Sequence, residues 1–167
     1  MKLISFYCDV DGGNFYKNSS KNLIQDCIDF GIDYHIDEYN FGSSWIDNVR
    51  AKPTFILEMM EKFNQDLLWL DIDCRINKNI DFPTDSDWLV DFKKNGSPHD
   101  YVHIIKNTEE NKQFLLEWIK EINDTKSGSH TAFIKIYNKI NVNKIPFGYF
   151  TLGLSDIDSK KTYINGK

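Results

Sequence analysis

The stretch LLWLDIDCRI, Leu67 to Ile76, constrains this chain most. Four consecutive apolar residues, Leu67, Leu68, Trp69 and Leu70, read as a strand buried in an interior. The run then ends on two acids, Asp71 and Asp73, with Ile72 between them. In an extended backbone, side chains at i and i+2 lie on one side. The sequence therefore predicts both carboxylates facing one crevice, with Ile72 packing the opposite way. Two hard oxygen donors held in this way suit Mg²⁺ or Mn²⁺ carrying a diphosphate.

Spacing alone does not single this pair out. Asp-x-Asp also occurs at Asp9/Asp11, Asp85/Asp87 and Asp156/Asp158. The last lies in the polar tail SDIDSKK and reads as solvated surface, in a segment expected to be loose from Asp156. Asp85/Asp87 lies in PTDSD beside Pro83, a setting for turn chemistry or capping. Only Asp9/Asp11 and Asp71/Asp73 follow apolar, strand-like runs, and α/β sheets gather ligands at the carboxyl ends of their strands.

Size and composition exclude several classes. A chain of 167 residues is one domain by ordinary size, and 41% hydrophobic with 14% aromatic content indicates a folded core. A net charge of −5 with no basic stripe argues against a nucleic-acid binder. Cys8, Cys27 and Cys74 are odd in number and set in apolar surroundings, the pattern of buried reduced thiols in a reducing compartment. No Cys or His spacing suggests zinc. MKLISFYCDV lacks a long apolar core for a signal peptide, and no apolar run reaches the roughly 18 residues of a membrane span. The expectation is a cytoplasmic protein.

Along the chain, Lys2–Cys8 reads as a buried strand and Asp9–Lys17 as a loop. A helix capped by Ser19 or Ser20 follows, ending at Gly31. Tyr34–Tyr39 alternates like a strand. A second helix runs from about Lys52 to Phe63, with Pro53 in its first turn and Phe55, Ile56, Met59, Met60 and Phe63 facing inward. Trp88–Phe92 and Tyr101–Lys106 read as strands split by the polar loop KKNGSPHD, which holds His99 and Asp100. Asn107 is expected to cap a third helix, with Glu110 completing a capping box. A last helix runs from Ser129–Thr131 to Ile140. Strands alternate with helices throughout, so the expected class is α/β with a largely parallel sheet in a single domain. Trp45 reads first as a packing anchor and second as a stacking platform. His35 and His103 alternate within strands and read as structural.

The order of these pieces resembles a known family. GSSWIDNVRAKPTFILEMMEKFNQDLLWLDIDCRI, residues 42–76, resembles nucleotide-diphospho-sugar transferases of the GT-A fold, nearest to small bacterial and large-DNA-virus glycosyltransferases. In these a Lys-Pro helix leads into an apolar strand bearing a DxD motif. HIIKNTEENKQFLLEWIKEI (103–122) and GSHTAFIKIY (128–137) are similar to later parts of such domains. The resemblance implies that Asp71 and Asp73 hold Mn²⁺ or Mg²⁺ against the diphosphate of a UDP-, GDP- or dTDP-sugar, with Asp71 also near the ribose. It implies that Tyr7, Cys8 and Asp9 line the base and ribose pocket, and that Tyr16, Arg50 and Lys52 contact nucleotide or phosphate. The acceptor would be a hydroxyl, by default on a glycan.

The chain departs from this pattern at one position. Related sequences often place an acid before His where this chain has Ser129 and His130. If that acid is the base that takes the acceptor proton, His130 or Asp100 must serve instead. Two alternatives stand beside this reading. FYCDVDGG (6–13) superficially resembles the first motif of haloacid-dehalogenase phosphotransferases, with Asp9 as nucleophile and Asp11 as acid. A non-catalytic nucleotide-sugar-binding module is the other.

Overall fold

The computed structural model describes residues 1–10, 13–83 and 86–152. Asp11, Asp85 and the whole tail with Asp156 and Asp158 lie outside the described residues. In chain order the elements are β1 (Lys2–Tyr7), α1 (Phe15–Asp29), β2 (Tyr34–Glu38), α2 (Trp45–Arg50), α3 (Lys52–Phe63), β3 (Leu67–Leu70), β4 (Cys74–Ile76), β5 (Trp88–Phe92), β6 (Pro98–Ile105), α4 (Glu109–Thr125) and α5 (Ser129–Ile136). A 3₁₀ turn (Tyr137–Lys139), β7 (Val142–Lys144) and β8 (Phe150–Leu152) complete them.

Six strands form one sheet in the order β2-β1-β3-β6-β5-β7. The β1/β2, β1/β3 and β5/β7 pairs are parallel, while β6 runs antiparallel to both its neighbours. The sheet is thus parallel but for one reversed strand, as the β-α alternation implied. β4 and β8 form a separate antiparallel pair.

Period-2 alternation distributes the side chains between two apolar layers. Ile4, Leu67, Trp69, Trp88, Val90 and Ile105 face α3, α4 and α5 in one cluster, where Phe55, Met60, Trp118 and Phe133 are fully or almost fully buried. Leu3, Leu68, Leu70, Leu89, Val102 and Ile104 form the other with Leu23 and Cys27 of α1. The all-apolar LLWL run follows directly, since β3 lies mid-sheet with both faces covered.

Several boundaries differ from expectation, each for a local reason. α1 starts at Phe15, ahead of Ser19 and Ser20, because the Asp9 carboxylate at the end of β1 accepts from the Tyr16 and Lys17 amides (3.0 and 2.9 Å). Those helix-terminal N–H groups find their acceptor outside the helix. Thr108, not Asn107, caps α4 by accepting from the Asn111 amide, while the Asn107 N–H donates to Asp66. α5 starts at Ser129, as expected, but gives way to 3₁₀ geometry after Ile136, short of Ile140. β6 begins at Pro98, so His99 and Asp100 lie in a strand rather than a loop. In its pairing with β5 the register jumps from Asp91↔His99 to Val90↔His103, a bulge that leaves residues 100–102 unpaired on that side.

Asp26 ties α1 to the strand after the acid pair. Its carboxylate, 4% exposed, accepts from Arg75 Nε (2.7 Å), Arg75 Nη2 (2.5 Å) and the Ile76 amide (2.9 Å). Asp26→Ala leaves the Ile76 N–H without an acceptor and is expected to cost about 1–3 kcal/mol. Urea unfolding followed by tryptophan fluorescence checks this, and an unchanged midpoint would contradict it.

Candidate functional site

A cavity of about 320 Å³ opens at the carboxyl ends of β1 and β3, lined by Phe6, Tyr7, Cys8, Tyr16, Trp45, Asn48, Val49, Lys52, Trp69, Asp71, Ile72, Asp73 and Leu152. Parallel neighbours β1 and β3 end together here, which is where such sheets offer a crevice. Asp71 and Asp73 share the cavity as the sequence predicted, but by a different route. β3 stops at Leu70, and Asp71–Cys74 form a tight turn closed by the Cys74 amide donating to the Asp71 carbonyl (2.9 Å). The turn brings both acids to one wall. Ile72, 6% exposed, both packs in the α1-side cluster and reaches the cavity.

The Asp71 carboxylate is oriented by one oxygen. Its Oδ1 accepts from Lys52 Nζ (2.8 Å) and from the Trp69 indole (2.9 Å). Trp69 is two residues earlier on β3, so this donor travels with the strand that delivers the acid. Lys52 sits in the first turn of α3 and is 6% exposed. An ammonium has three donors, and they meet Asp71 Oδ1, the Asp100 carbonyl (2.5 Å) and Asp100 Oδ2 (3.0 Å). Burial alone would lower its pKa, but the Asp100 and Asp71 charges outweigh that and hold the ammonium above its usual range. Lys52 lines the cavity with its hydrogen-bonding capacity already spent on protein groups.

Asp100 anchors a buried network. Its carboxylate accepts from Lys52, from His103 Nε2 (2.9 Å) and from Ser129 Oγ (3.0 Å). Trp88 donates its indole N–H to His103 Nδ1 (3.1 Å). An indole is donor only, so Nδ1 accepts and His103 is the neutral Nε2–H tautomer. Burial pushes the His103 imidazole below its usual pKa, in keeping with that form. Burial opposes ionisation of Asp100, but Lys52 and the His103 hydrogen bond prevail and hold it down at about 2. At 6% exposure with three side-chain donors around it, Asp100 is a positioning group. The bulge in β6 aims it inward, a device that strand periodicity does not reveal.

Of the residues picked from sequence, Tyr7, Cys8, Tyr16, Lys52, Asp71 and Asp73 converge on the cavity. Asp9 serves as the cap of α1. Arg50 points elsewhere and donates to the Lys126 and Ser127 carbonyls that end α4, the Ser127 contact being 3.2 Å. His130 is half-buried at the start of α5, with Lys93 Nζ donating to its Nε2 (2.9 Å). Burial, together with Lys93 and Lys52, lowers its pKa despite Asp100 nearby, so the imidazole is neutral at pH 7. Trp45 is 53% exposed at the cavity, which corrects its reading as a packing anchor. Trp69, Asn48 and Val49 were not picked, being ordinary apolar or amide positions in the sequence.

The donor set fits a hard divalent cation. Burial and the Asp71 charge raise Asp73 to about 6, so the two carboxylates repel unless a positive charge arrives. Asp71 Oδ2 has no protein partner among the described residues. No group of three or more His, Cys, Asp or Glu side chains that could hold a metal occurs among the described residues. Asp71 and Asp73 would therefore complete the shell of an ion with ligand and water oxygens, as Mg²⁺ sites commonly do.

The two acids give opposite pH dependences. Asp100 has a depressed pKa, so its contribution is present above the usual carboxylate range and is lost as pH falls through about 2. Asp73 has a raised pKa, so its contribution is complete below about pH 4 and is lost as pH rises through about 6. In metal-free buffer Asp73→Asn should abolish the loss of stability between roughly pH 4 and 6. Thermal melts across that range check it, and an unaltered pH profile would contradict it. Lys52→Met strands the buried Asp100 carboxylate and should cost about 3–5 kcal/mol by urea unfolding.

No protein-family model and no curated protein sequence matches the chain. Solved structures do. A glycosyltransferase involved in the glycosylation of the major capsid of PBCV-1 superposes with a TM-score of 0.69 at 13% identity, covering 96% of this chain and 97% of that one. The glycosyltransferase GlyE of Streptococcus pneumoniae TIGR4 superposes with a TM-score of 0.60 at 10% identity, over 86% of this chain and 44% of that one. The chain thus has the fold of GT-A-type glycosyltransferases, as the resemblance of residues 42–76 implied.

Proposed function

We propose that this chain is a metal-dependent glycosyltransferase that moves a sugar from a UDP-, GDP- or dTDP-sugar to an acceptor hydroxyl. The observation that carries this reading is the Asp71–Asp73 turn, set at the carboxyl end of β3 on the wall of the cavity. The likeness to two glycosyltransferase structures supports the same reaction class. One of them takes part in glycosylating a viral capsid; for this chain the acceptor is taken to be a glycan hydroxyl by default.

The chain's own residues divide the work. Lys52 and Trp69 fix Asp71 through Oδ1, leaving Oδ2 and Asp73 to hold Mn²⁺ or Mg²⁺. When bound, that ion offsets charge on the departing nucleoside diphosphate. Tyr7, Cys8 and Tyr16 line the remainder of the donor cavity. His130 is the candidate base. Its neutral imidazole could take the acceptor proton on Nε2 once Lys93 withdraws its own donor from that nitrogen. Asp100, held by three donors, supports Lys52 and His103 and is not free to accept a proton from substrate. The phosphotransferase alternative needs a free Asp9 nucleophile, and both Asp9 oxygens are engaged by α1 amides.

Release of nucleoside diphosphate from each sugar donor, with Mn²⁺ or with EDTA, tests the reading. Turnover with one nucleotide class in Mn²⁺, and a loss on the order of 100-fold or more in EDTA and in Asp71→Asn and Asp73→Asn, is the expected result. Turnover indifferent to EDTA and to both variants would overturn it. Mn²⁺-dependent donor binding without turnover would favour the non-catalytic module.

A further inference from the structure

Lys93 is a half-buried ammonium without a counter-ion. Its Nζ donates to His130 Nε2 (2.9 Å), and no carboxylate among the described residues pairs with it. Burying a cation without such a partner is costly. Strand register sets a second basic group beside it. Asp91 pairs with His99 and Phe92 with Pro98, while the Lys93 amide donates to the Ser97 carbonyl (2.8 Å). Residues two apart and residues directly opposite share a face, so Asp91, Lys93 and His99 face one way. The acid on that face is committed elsewhere. Asp91 Oδ1 accepts from the Phe92 amide (2.8 Å) and Oδ2 from the Tyr101 hydroxyl (2.5 Å). His99 is half-buried, edge-on to Tyr101 with ring centroids 5.1 Å apart, and its ring nitrogens make no hydrogen bond among the described residues. Burial lowers the His99 pKa, with Asp91 opposing that effect and Lys93 adding to it. One ammonium and two imidazoles thus converge with no acid free to neutralise them.

The cluster adjoins the acid pair from the side away from β1. The Tyr101 carbonyl accepts from the Asp71 amide (2.8 Å), and β6 and β5 follow β3 in the sheet order. His130 is tied to the same region through Ser129, which donates to Asp100 (3.0 Å). Charge balance says what this place lacks. A lysine ammonium is donor only, so His130 Nε2 accepts and the neutral ring carries its proton on Nδ1. Lys93 therefore occupies the nitrogen that a base needs, and its charge opposes protonation of the ring. A carboxylate or phosphate bound here would draw the ammonium off Nε2 and cancel its field. The acceptor O–H proton would then pass to Nε2 while the acceptor oxygen bonds to the anomeric carbon of the donor sugar. The bond from that carbon to the diphosphate breaks, and its electron pair leaves with the nucleoside diphosphate.

We propose that Lys93 and His99 bind an anionic group on the acceptor, the carboxylate or phosphate of an acidic sugar, and that this binding frees His130 to act as the base. This rests on the transferase reading and adds the charge class of the acceptor. Long-range ¹⁵N imidazole spectra of the wild type test it without turnover. The probes are glucuronic acid, glucose 6-phosphate and methyl glucoside at constant ionic strength. An acidic probe should move the His130 Nε2 and His99 resonances, and the neutral glucoside should not. A response to glucuronic acid alone assigns the carboxylate, and a response to glucose 6-phosphate alone assigns the phosphate. Lys93→Met should abolish the response and Lys93→Arg should retain it. An equal response to methyl glucoside, or no response to any of the three, would overturn the inference. In nucleoside diphosphate release, the acidic sugar should be preferred over the glucoside by roughly 10- to 100-fold in kcat/KM. Lys93→Met should erase that ratio. A glucoside used as well as the acidic sugars would overturn the inference and leave the transferase reading intact. No release with any donor and acceptor would count against the transferase reading, while the imidazole titration still decides whether the anion site exists.

Discussion

The Lys52 ammonium is the point on which the site depends. It is a cation buried between two carboxylates, reaching Asp71 at the cavity and Asp100 in the interior. An isolated ammonium at this depth would be expelled or neutralised. Here three acceptors satisfy its three donors, and the two acids keep it charged. The consequence is one rigid chain of contacts from the cavity wall through Lys52 and Asp100 to His103, Trp88 and Ser129. It crosses from α3 to β6 and α5, so the geometry of Asp71 is set by packing far from the ligand. Preorganisation of this kind, through partners whose own positions are locked, is what a catalytic or binding carboxylate requires.

Ser129 belongs to the same chain of contacts. Its fully buried hydroxyl donates to a carboxylate arriving from β6. The negative charge is supplied by Asp100 and is consumed by Lys52. That arrangement leaves His130, just beyond Ser129, outside the buried network, with Lys93 donating to its Nε2.

What the sequence revealed followed from periodicity and from local stops. β3 was readable because LLWL is apolar on both faces, and α3 because Pro53 opens a stripe of Phe55, Ile56, Met59 and Met60. The acid pair was readable as a pair but not as a turn, since the i+2 rule assumes a strand that ends at Leu70. α1 was misjudged at its start because its cap, Asp9, is six residues upstream of Phe15 and belongs to the end of β1. Asp100 looked like a loop residue beside Pro98 and His99, and only the bulge against β5 turns it into the core. β4, β7 and β8 are three residues each and too short for any periodic signal. For α1 and for Asp100, a contact between distant segments decided what local pattern could not.

The central claim is that Lys52 and Trp69 leave Asp71 and Asp73 as a two-carboxylate half-site, completed only by a diphosphate. Electron paramagnetic resonance of Mn²⁺ binding, with and without the nucleoside diphosphate that the protein prefers, tests it most directly. The account predicts weak Mn²⁺ binding alone and marked tightening when the nucleotide is present, lost together in Asp71→Asn. Mn²⁺ binding equally tight without nucleotide, or untouched by Asp71→Asn, would contradict it.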